Sequence, residues 1–315
     1  MFNKLISYAL VVRDRMHTLN ILKSNISAKE RYTADIIRLV HSIEKGLCIE
    51  NPRLGFGFAK LMKLFSLCTT YADLYGCNEF CLKMARDAIK EYITYHRTKD
   101  YQSEQFTQIC DAYNNFPCKE TEGTEIFGGV INVEHKCELS FEQLATFFAD
   151  RHSIRDFKDE DISEEELLQA FKAAQYAPSA CNRQAVRAYV LSEEQICKFY
   201  KNDLSGIGGF ADKANKFILI TGKISAYDKG EINQHIVSAS IFATYLIEAL
   251  FTLKIGTCMI QRPLYLSKQW ESIAKELGIP TDERLVIMIA VGRIKDEYLA
   301  PVSKRFPTES IVKFI

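Results

Sequence analysis

The chain has 315 residues, of which 47% are hydrophobic and 25% are charged, and its 40 Lys and Arg are balanced by 40 Asp and Glu. This composition is sufficient for packed cores, and the length predicts about two domains. A net charge of zero provides no bulk positive field for nucleic acid or an acidic membrane. No uninterrupted apolar stretch approaches the ~20 residues that span a bilayer. We therefore predict no nucleic-acid partner and no integral membrane contact.

The cysteines and the first residues bear on compartment and metal content. There are 10 cysteines but no C-x-x-C pair, and only 6 histidines, so the spacings typical of zinc and iron–sulfur sites are absent. The opening MFNKLISYALVVRDRM (1–16) has a short apolar run without a small-residue cleavage site after it. These features predict reduced thiols, no metal and a cytoplasmic location.

Residues 1–140 are predicted to form a helical domain. In TADIIRLVHSIEKGL (33–47) the apolar residues recur at helical spacing on one face, and Arg38, His41 and Lys45 fall on the other. Two more helices are predicted over 58–75 and 80–96. The helix at 1–16 is expected to pack in its own domain rather than on a membrane surface. The polar stretch 99–140 is predicted to be a linker without regular elements, which places the domain boundary near residue 140.

Residues 141–315 alternate between helical and strand patterns, which predicts an α+β domain with a mixed sheet flanked by helices. Helices are predicted at 141–151, 162–178 with Ser163 as N-cap, 193–201, 231–253 and 267–278, and strands at 185–192, 215–222, 256–260 and 284–293. The helix at 231–253 is apolar nearly all round, so it is expected to be buried or to lie at a subunit interface.

Three polar motifs in this second part suggest a binding site. In RHSIRDF (151–157), an extended backbone would direct Arg151, Ser153 and Arg155 to one side, and such donors suit an anion or a carbonyl-rich ring. APSACNRQAVRAYV (177–190) adds hydroxyl and amide groups, and SKRFP (303–307) adds two cations. Taken singly, each motif is also typical of solvated surfaces and helix ends. Together they contain no nucleophile–base set, which favours binding of a phosphorylated cofactor over hydrolysis.

In this order, the motifs resemble those of the nitroreductase family of flavoproteins. RHSIRDF resembles its R-x-S-x-R-x-F opening, and PSACNRQ (178–184) resembles its P-S-x-x-N-x-Q segment. KIGTCMI (254–260) and the VGR…SKRFP region resemble the later segments, so the resemblance covers about 141–315. Two positions depart from the pattern: Ala185 stands where proline is usual, and Ser303 where lysine is common.

The resemblance implies an FMN cofactor and a homodimer. Arg151 and Ser153 would serve the phosphate, Arg155 the pyrimidine edge of the flavin, and Arg305 with Lys304 the rest of the phosphate cradle. Pro178, Ser179 and Asn182 would come from the partner subunit, and the backbone at Gly256 and Thr257 would lie near the N5 side. The full set of implied cofactor-binding residues is Arg151, His152, Ser153, Arg155, Pro178, Ser179, Ala180, Asn182, Gln184, Gly256, Thr257, Lys304 and Arg305.

The implied activity is that of an FMN-dependent oxidoreductase without a catalytic side chain, since flavin N5 carries the chemistry. It would take hydride from NADH or NADPH and reduce a small electron-poor acceptor, such as a nitro compound or quinone, in ping-pong order. One alternative is a specialised redox enzyme acting on a polysaccharide precursor, because residues 41–57 resemble a segment of nitroreductase-like proteins encoded with polysaccharide-modifying enzymes. Another is a non-catalytic flavin-binding or scaffold subunit, and cofactor content separates it from the enzymes.

Two further expectations concern the surroundings of the flavin. Only about ten residues separate the strand that ends near Thr221 from the helix that starts near Glu231, so no helical insertion is available there to cover the substrate side. The N-terminal domain is therefore predicted to provide the cover. The tail at 306–315 is predicted to reach over the partner subunit.

Overall fold

The computed structural model of the protein describes residues 2–24, 28–118, 125–134, 136–192, 194–195, 209–260 and 268–315. Its N-terminal helices are α1 (Phe2–Lys23), α2 (Ala28–Leu47), α3 (Phe58–Tyr75), α4 (Phe80–Arg97) and α5 (Glu104–Asn114). The C-terminal helices are α6 (Phe141–Asp150), α7 (Glu164–Ala174), α8 (Gln234–Thr252) and α9 (Lys268–Glu276). The strands are β1 (Val186–Ser192), β2 (Lys216–Lys223), β3 (Ile255–Ile260) and β4 (Glu283–Arg293). The predicted helix at 193–201 lies mostly outside the described residues.

The helices α2 to α5 pack around a single hydrophobic core. The apolar face of α2 is buried as its periodicity predicts, with Ile36, Val40 and Ile43 fully inaccessible to solvent. Tyr71 of α3 and Tyr92 of α4 are among the largest fully buried side chains. The helices predicted over 33–47, 58–75 and 80–96 are therefore confirmed.

The prediction of a structureless linker over 99–140 is wrong in part. Helix α5 lies within it, begins after Ser103, whose Oγ accepts from the amide of Phe106 at 3.1 Å, and buries Phe106 and Ile109. Farther along, the amide of Phe127 donates to Asp87 Oδ2 of α4 at 2.9 Å. Two buried side chains and an N-cap suffice for a short helix against an existing core, and the polar outer face conceals this pattern in the sequence.

Helix α1 differs from its predicted packing. Among the α1 side chains that the structure describes (residues 8, 9 and 11–23), the buried ones are Thr18, Ile21 and Leu22. Ile21 and Leu22 pack with Ile224 of the C-terminal part rather than with the helical core. The exposed apolar side chains of its earlier turns are Tyr8, Val11, Val12 and Met16. The expectation that α1 packs within its own domain is therefore wrong for its last turns.

The C-terminal part is a four-stranded sheet in the order β1-β2-β4-β3, with every neighbouring pair antiparallel. The prediction of a mixed sheet is therefore wrong for the described strands, and parallel pairing occurs among the described residues at the isolated bridge between Ser153 and Thr257. Helices α7 and α8 cover one face, and α9 together with residues 154–157 and Phe210 packs on the other. Successive strand residues alternate between these two cores, as Ile218 and Leu219 of β2 do. The predicted α+β class is confirmed.

Helix α8 is the central helix of the core on its face of the sheet. Its apolar composition and length would allow it to cross a membrane, with a mean hydropathy of 1.4. Seven of its residues are buried, and its contacts with α7 and the sheet account for this composition. Val237 and Tyr245 remain 46% and 43% exposed. The helix therefore also presents a partly apolar outer surface, as expected of a subunit interface.

His235, at the start of α8, is fully buried, and neither ring nitrogen has a hydrogen-bond partner among the described residues. Burial, with Arg284 and Arg15 nearby, lowers the pKa of His235 from 6.5 to about 3. Below pH 6.5 the unfolded chain takes up a proton that the folded chain does not, so the free energy of unfolding falls with falling pH. We expect a loss of roughly 2–3 kcal/mol between pH 6.5 and 4.5. Urea unfolding should show this loss in the wild type and not in His235→Leu.

The matched control is His17→Leu, which removes an exposed histidine of α1. Its unfolding free energy should follow the wild type at both pH values. A His235→Leu protein with the wild-type acid dependence would contradict the assignment.

Candidate functional site

The RHSIRDF segment runs along the outer edge of β3. The amide of Ile154 donates to the carbonyl of Thr257 at 2.9 Å, beside the Ser153–Thr257 bridge, and the amide of Lys158 donates to the carbonyl of Arg293. Ile154 and Phe157 are buried in the core on the α9 side. The apolar residues of the motif thus fix its backbone on the sheet, while the polar ones are left at the surface.

Two paired glycines allow the segment to approach the sheet closely. Gly256 of β3 lies opposite Gly292 of β4. A Cβ atom at Gly256 would lie 2.9 Å from Ile154 Cδ1, and one at Gly292 would lie 2.3 Å from Phe157 Cγ. The glycines of the KIGTCMI and VGR motifs are therefore required by packing under the RHSIRDF segment.

This placement gives Gly256 and Thr257 a packing role. Both are buried within a single chain, and the carbonyl of Thr257 is already bonded to Ile154. They lie beneath the RHSIRDF segment and support it, and their contact with the flavin stays a prediction. The local sequence does not distinguish packing beneath the segment from backbone contact with a flavin, because a glycine is needed for close approach in either case.

The two arginines of the motif do not converge on one side, contrary to expectation. Arg151 Nε donates to Glu248 Oε1 of α8 at 3.1 Å. The Arg155 guanidinium lies 6.0 Å from the ring centre of Phe210, which belongs to the core on the other face of the sheet. Between Arg151 and Arg155 the backbone therefore crosses from the α8 side of the sheet edge to the α9 side. Donors so separated suit the two ends of an extended cofactor rather than one small anion.

Glu248 was not found by sequence analysis. Its carboxylate is largely buried, and its Oε2 has no hydrogen-bond partner among the described residues. Burial raises the pKa of Glu248, and the Arg151 guanidinium offsets part of this shift. A phosphate at Arg151 would share the guanidinium with this carboxyl group. Burial near an arginine motif is a tertiary property, so no local sequence signal marks Glu248.

The second motif forms a loop before β1 that exposes part of the predicted set. Pro178, Asn182 and Gln184 are exposed, and Ser179 Oγ accepts from the amide of Gln184 at 3.1 Å. Ala180 packs against Ala34 of α2 in a cluster with Ala185, Ala226 and Tyr227. Ala185 stands where the family usually has proline, and its burial against α2 is consistent with a small side chain there.

The buried side chain of Arg183 holds this loop in place, and the sequence motifs did not identify this residue. The Arg183 side chain is 1% exposed and pairs with Glu231, at 2.5 Å from Nη2 to Oε1 and 2.8 Å from Nη1 to Oε2. It also donates to the carbonyls of Ala180 and Ala226, each at 3.0 Å. Its guanidinium lies 4.5 Å from the ring centre of Tyr227. Arg183 and Glu231 are 48 positions apart, so no local sequence pattern indicates that they pair.

The two motifs lie at opposite edges and opposite ends of the sheet. β1 and β3 are its two edge strands, and the register aligns Thr257 with Ser192, the far end of β1 from the loop. Four inter-strand steps of about 4.8 Å, from β1 to the segment outside β3, and seven residues along β1 at about 3.3 Å each put the motifs roughly 30 Å apart. A flavin at Arg151–Arg155 therefore does not reach residues 178–184 of the same chain.

The basic pair of the third motif is also apart from the first. Lys304 and Arg305 are exposed, and Arg305 donates to the carbonyl of Ser303, two residues away, at 2.6 Å. In the described part of the chain neither makes a hydrogen bond or ion pair with residues 151–155. The predicted phosphate cradle is thus not assembled within one chain in this conformation.

The residue chemistry nevertheless fits FMN. Arg155 is exposed, with one long hydrogen bond of 3.4 Å to the carbonyl of Ser153. His152, Ser153 and Arg151 are partly exposed along the same edge. Guanidinium groups match phosphate and the electron-rich edge of a flavin.

One family model and several solved structures are similar to the C-terminal part of the chain. Residues 148–207 and 202–293 match the family model described as "Nitroreductase family". An FMN-dependent nitroreductase from Clostridium difficile is similar at 26% identity, covering 53% of this chain and 96% of that one, with a TM-score of 0.45. A nitroreductase family protein from Streptococcus pneumoniae is 19% identical, covering 55% and 100%, with a TM-score of 0.47.

A third similar structure, a putative nitroreductase in complex with FMN from Desulfovibrio desulfuricans, is 19% identical, with a TM-score of 0.45. It covers 54% of this chain and 94% of that one. The comparison with curated proteins found no match. The predicted nitroreductase-like fold is confirmed for the C-terminal part of the chain.

Proposed function

We propose that the protein is an FMN-dependent oxidoreductase of the nitroreductase family, which takes hydride from NADH or NADPH and reduces a small electron-poor acceptor. The observation that carries this proposal is the donor edge at 151–155, held on β3 by paired glycines, within the residues that match the family model. When bound, FMN supplies the two-electron chemistry in ping-pong order. The chain's own residues bind and orient it, and no side chain is required as catalytic acid or base.

Each arginine of the donor edge has its own task. Arg151 and Ser153 hold the phosphate end on the α8 side of the sheet edge. Arg155 lies at the pyrimidine edge, where a cation stabilises the negative charge that a flavin gains on reduction. His152 completes the edge between them. The separation of the two guanidinium groups across the sheet edge supports this division.

The active form is a homodimer in which the partner provides Pro178, Ser179 and Asn182. The distance between the two motifs within one chain supports this, since one flavin can meet both only across two copies. Exposed apolar side chains also accumulate on α6 and the C-terminal tail, namely Phe141, Phe148, Leu299, Val302, Phe306, Ile311 and Phe314. Apolar surface of this extent is typical of subunit interfaces. The tail also carries Lys304 and Arg305 toward the partner.

The N-terminal domain covers the substrate side of the flavin. The packing of Ala34 of α2 in one cluster with Ala180 and Ala185 supports this, because these two alanines belong to the loop that we propose meets the partner's flavin. Lys223 of β2 adds an ion pair with Glu30 at 3.2 Å. Residues 41–57, which follow along α2, are the candidates for contact with the acceptor.

The test is the visible absorption spectrum of the purified protein, followed by anaerobic addition of NADH or NADPH. A flavin spectrum that bleaches on addition is the expected result, with light scattering giving twice the mass of one chain. A flavin that stays oxidised would contradict the nicotinamide donor. A colourless protein that cannot be reconstituted with FMN would overturn the proposal and favour a binding or scaffold role.

A further inference from the structure

The loop between α7 and β1 carries an unusual backbone. Cys181, Asn182 and Gln184 have φ values of +53°, +53° and +50°, and Arg183 between them has φ −69°. Left-handed conformations cost about 1–2 kcal/mol for residues other than glycine, and asparagine tolerates them best. Such conformations persist only where surrounding contacts determine them, and they are common at ligand-binding sites.

Arg183 makes the contacts that determine this loop. Its side chain turns inward, and Nε bonds the carbonyl of Ala180, so the arginine closes the short turn at 180–183 on itself. Its two terminal nitrogens reach Glu231 and the carbonyl of Ala226, which lie outside the loop. The loop is thus tied to residues 224–231 by charge-assisted hydrogen bonds, which are shorter and stronger than neutral ones.

Glu231 is held in place as well. Its Oε2 accepts from the amide of Asp228 at 3.0 Å, so the carboxylate is oriented before it meets Arg183. The segment around it is short, because β2 ends at Lys223 and α8 begins at Gln234. The connection between β2 and α8 is too short for a covering helix, and it carries Glu231, the residue that holds the loop in place.

We propose that Arg183 and Glu231 are positioning residues of the flavin site: they hold Pro178, Ser179 and Asn182 in the conformation that contacts the flavin of the partner subunit. The inference rests on the proposed function, since it needs a flavin at the subunit interface. Neither residue touches the cofactor. They act through the backbone of the loop, whose exposed side chains point away from the buried guanidinium.

The chain offers a matched control for the test. Arg293 and Glu166 form a second bidentate pair in the same domain, at 2.8 and 2.9 Å, and Glu166 is 31% exposed compared with 32% for Glu231. This pair links β4 to α7 and does not touch the loop. Glu231→Gln and Glu166→Gln each remove the charge of one bidentate partner, and only the first weakens the fastening of residues 180–184. Arg293 keeps an ion pair with Glu160 at 3.3 Å in the control.

The experiment compares FMN affinity and the visible-region circular dichroism of bound flavin in the two full-length variants, at a temperature where both are folded. We expect the FMN Kd to rise at least about tenfold in Glu231→Gln, the effect of losing one charge-assisted hydrogen bond, with an altered flavin dichroism band. Glu166→Gln should keep the wild-type band and a Kd within about twofold, although both lose thermal stability. Equal flavin properties in the two variants would overturn the proposal.

A rescue variant separates loop conformation from general destabilisation. Cys181→Gly removes the cost of one left-handed residue, so adding it to Glu231→Gln should recover several-fold of the lost affinity and restore the dichroism band. A double variant as weak as Glu231→Gln would overturn the link to the loop. A wild-type protein that binds no FMN would instead refute the proposed function itself, so the two failures are distinguishable.

Discussion

Gly292→Ala should lower the free energy of unfolding by at least about 3 kcal/mol and abolish FMN binding. The new Cβ would lie 2.3 Å from Phe157 Cγ and 2.7 Å from its Cβ, so no rotation of the phenylalanine side chain relieves the overlap. Either β4 or the backbone around Phe157 has to move. The neighbouring Lys158–Arg293 bridge would move with it, and the donor edge at 151–155 would leave its place on β3.

The control is Gly230→Ala, where an added Cβ meets no atom within 4 Å and the backbone is not left-handed. Its stability should stay within about 0.5 kcal/mol of the wild type. Thermal unfolding and flavin absorbance measure the two effects in the same samples. A Gly292→Ala protein with wild-type stability and full flavin content would refute the packing of the RHSIRDF segment described here.

The ion pair between Arg151 and Glu248 gives a second prediction, in which two variants change FMN affinity in opposite directions. Arg151→Gln should weaken binding by about 10- to 100-fold, since it removes charge-assisted hydrogen bonds to the phosphate. Glu248→Gln should strengthen binding by about fivefold, because it removes a negative charge near the phosphate while an amide oxygen still accepts from Arg151 Nε. Equilibrium titration of the apoprotein with FMN measures both.

Glu271→Gln on α9 is the control for net charge, because it makes the same change in a surface pair with Arg13. Its FMN Kd should not change. If Glu248→Gln weakened binding as much as Arg151→Gln, the carboxylate would be holding Arg151 in place rather than competing with the phosphate. If neither variant altered the Kd, the phosphate would lie elsewhere, and the exposed Lys304 and Arg305 would become the first residues to test.

Local sequence patterns predicted most of the helices and strands and indicated a cofactor-binding site. Helical periodicity placed α2 to α4, and alternation between apolar strands and amphipathic helices placed the sheet and the helices that cover it, because both patterns depend on local spacing. The order of RHSIRDF, PSACNRQ and the glycine motifs indicated the flavin-binding family. Helix α5 was missed, since two buried residues at 106 and 109 are too few to form a periodic pattern in a polar stretch.

The arrangement of the motifs relative to one another depends on the tertiary structure. Strand order put the first and second motifs at opposite edges of the sheet, and it separated Arg151 from Arg155 across the edge. Packing of the RHSIRDF segment on the sheet requires glycine at positions 256 and 292. The fold also brings Glu248 to Arg151 and Glu231 to Arg183. These contacts join residues 48 to 97 positions apart, and such pairings depend on how the chain packs rather than on any local pattern.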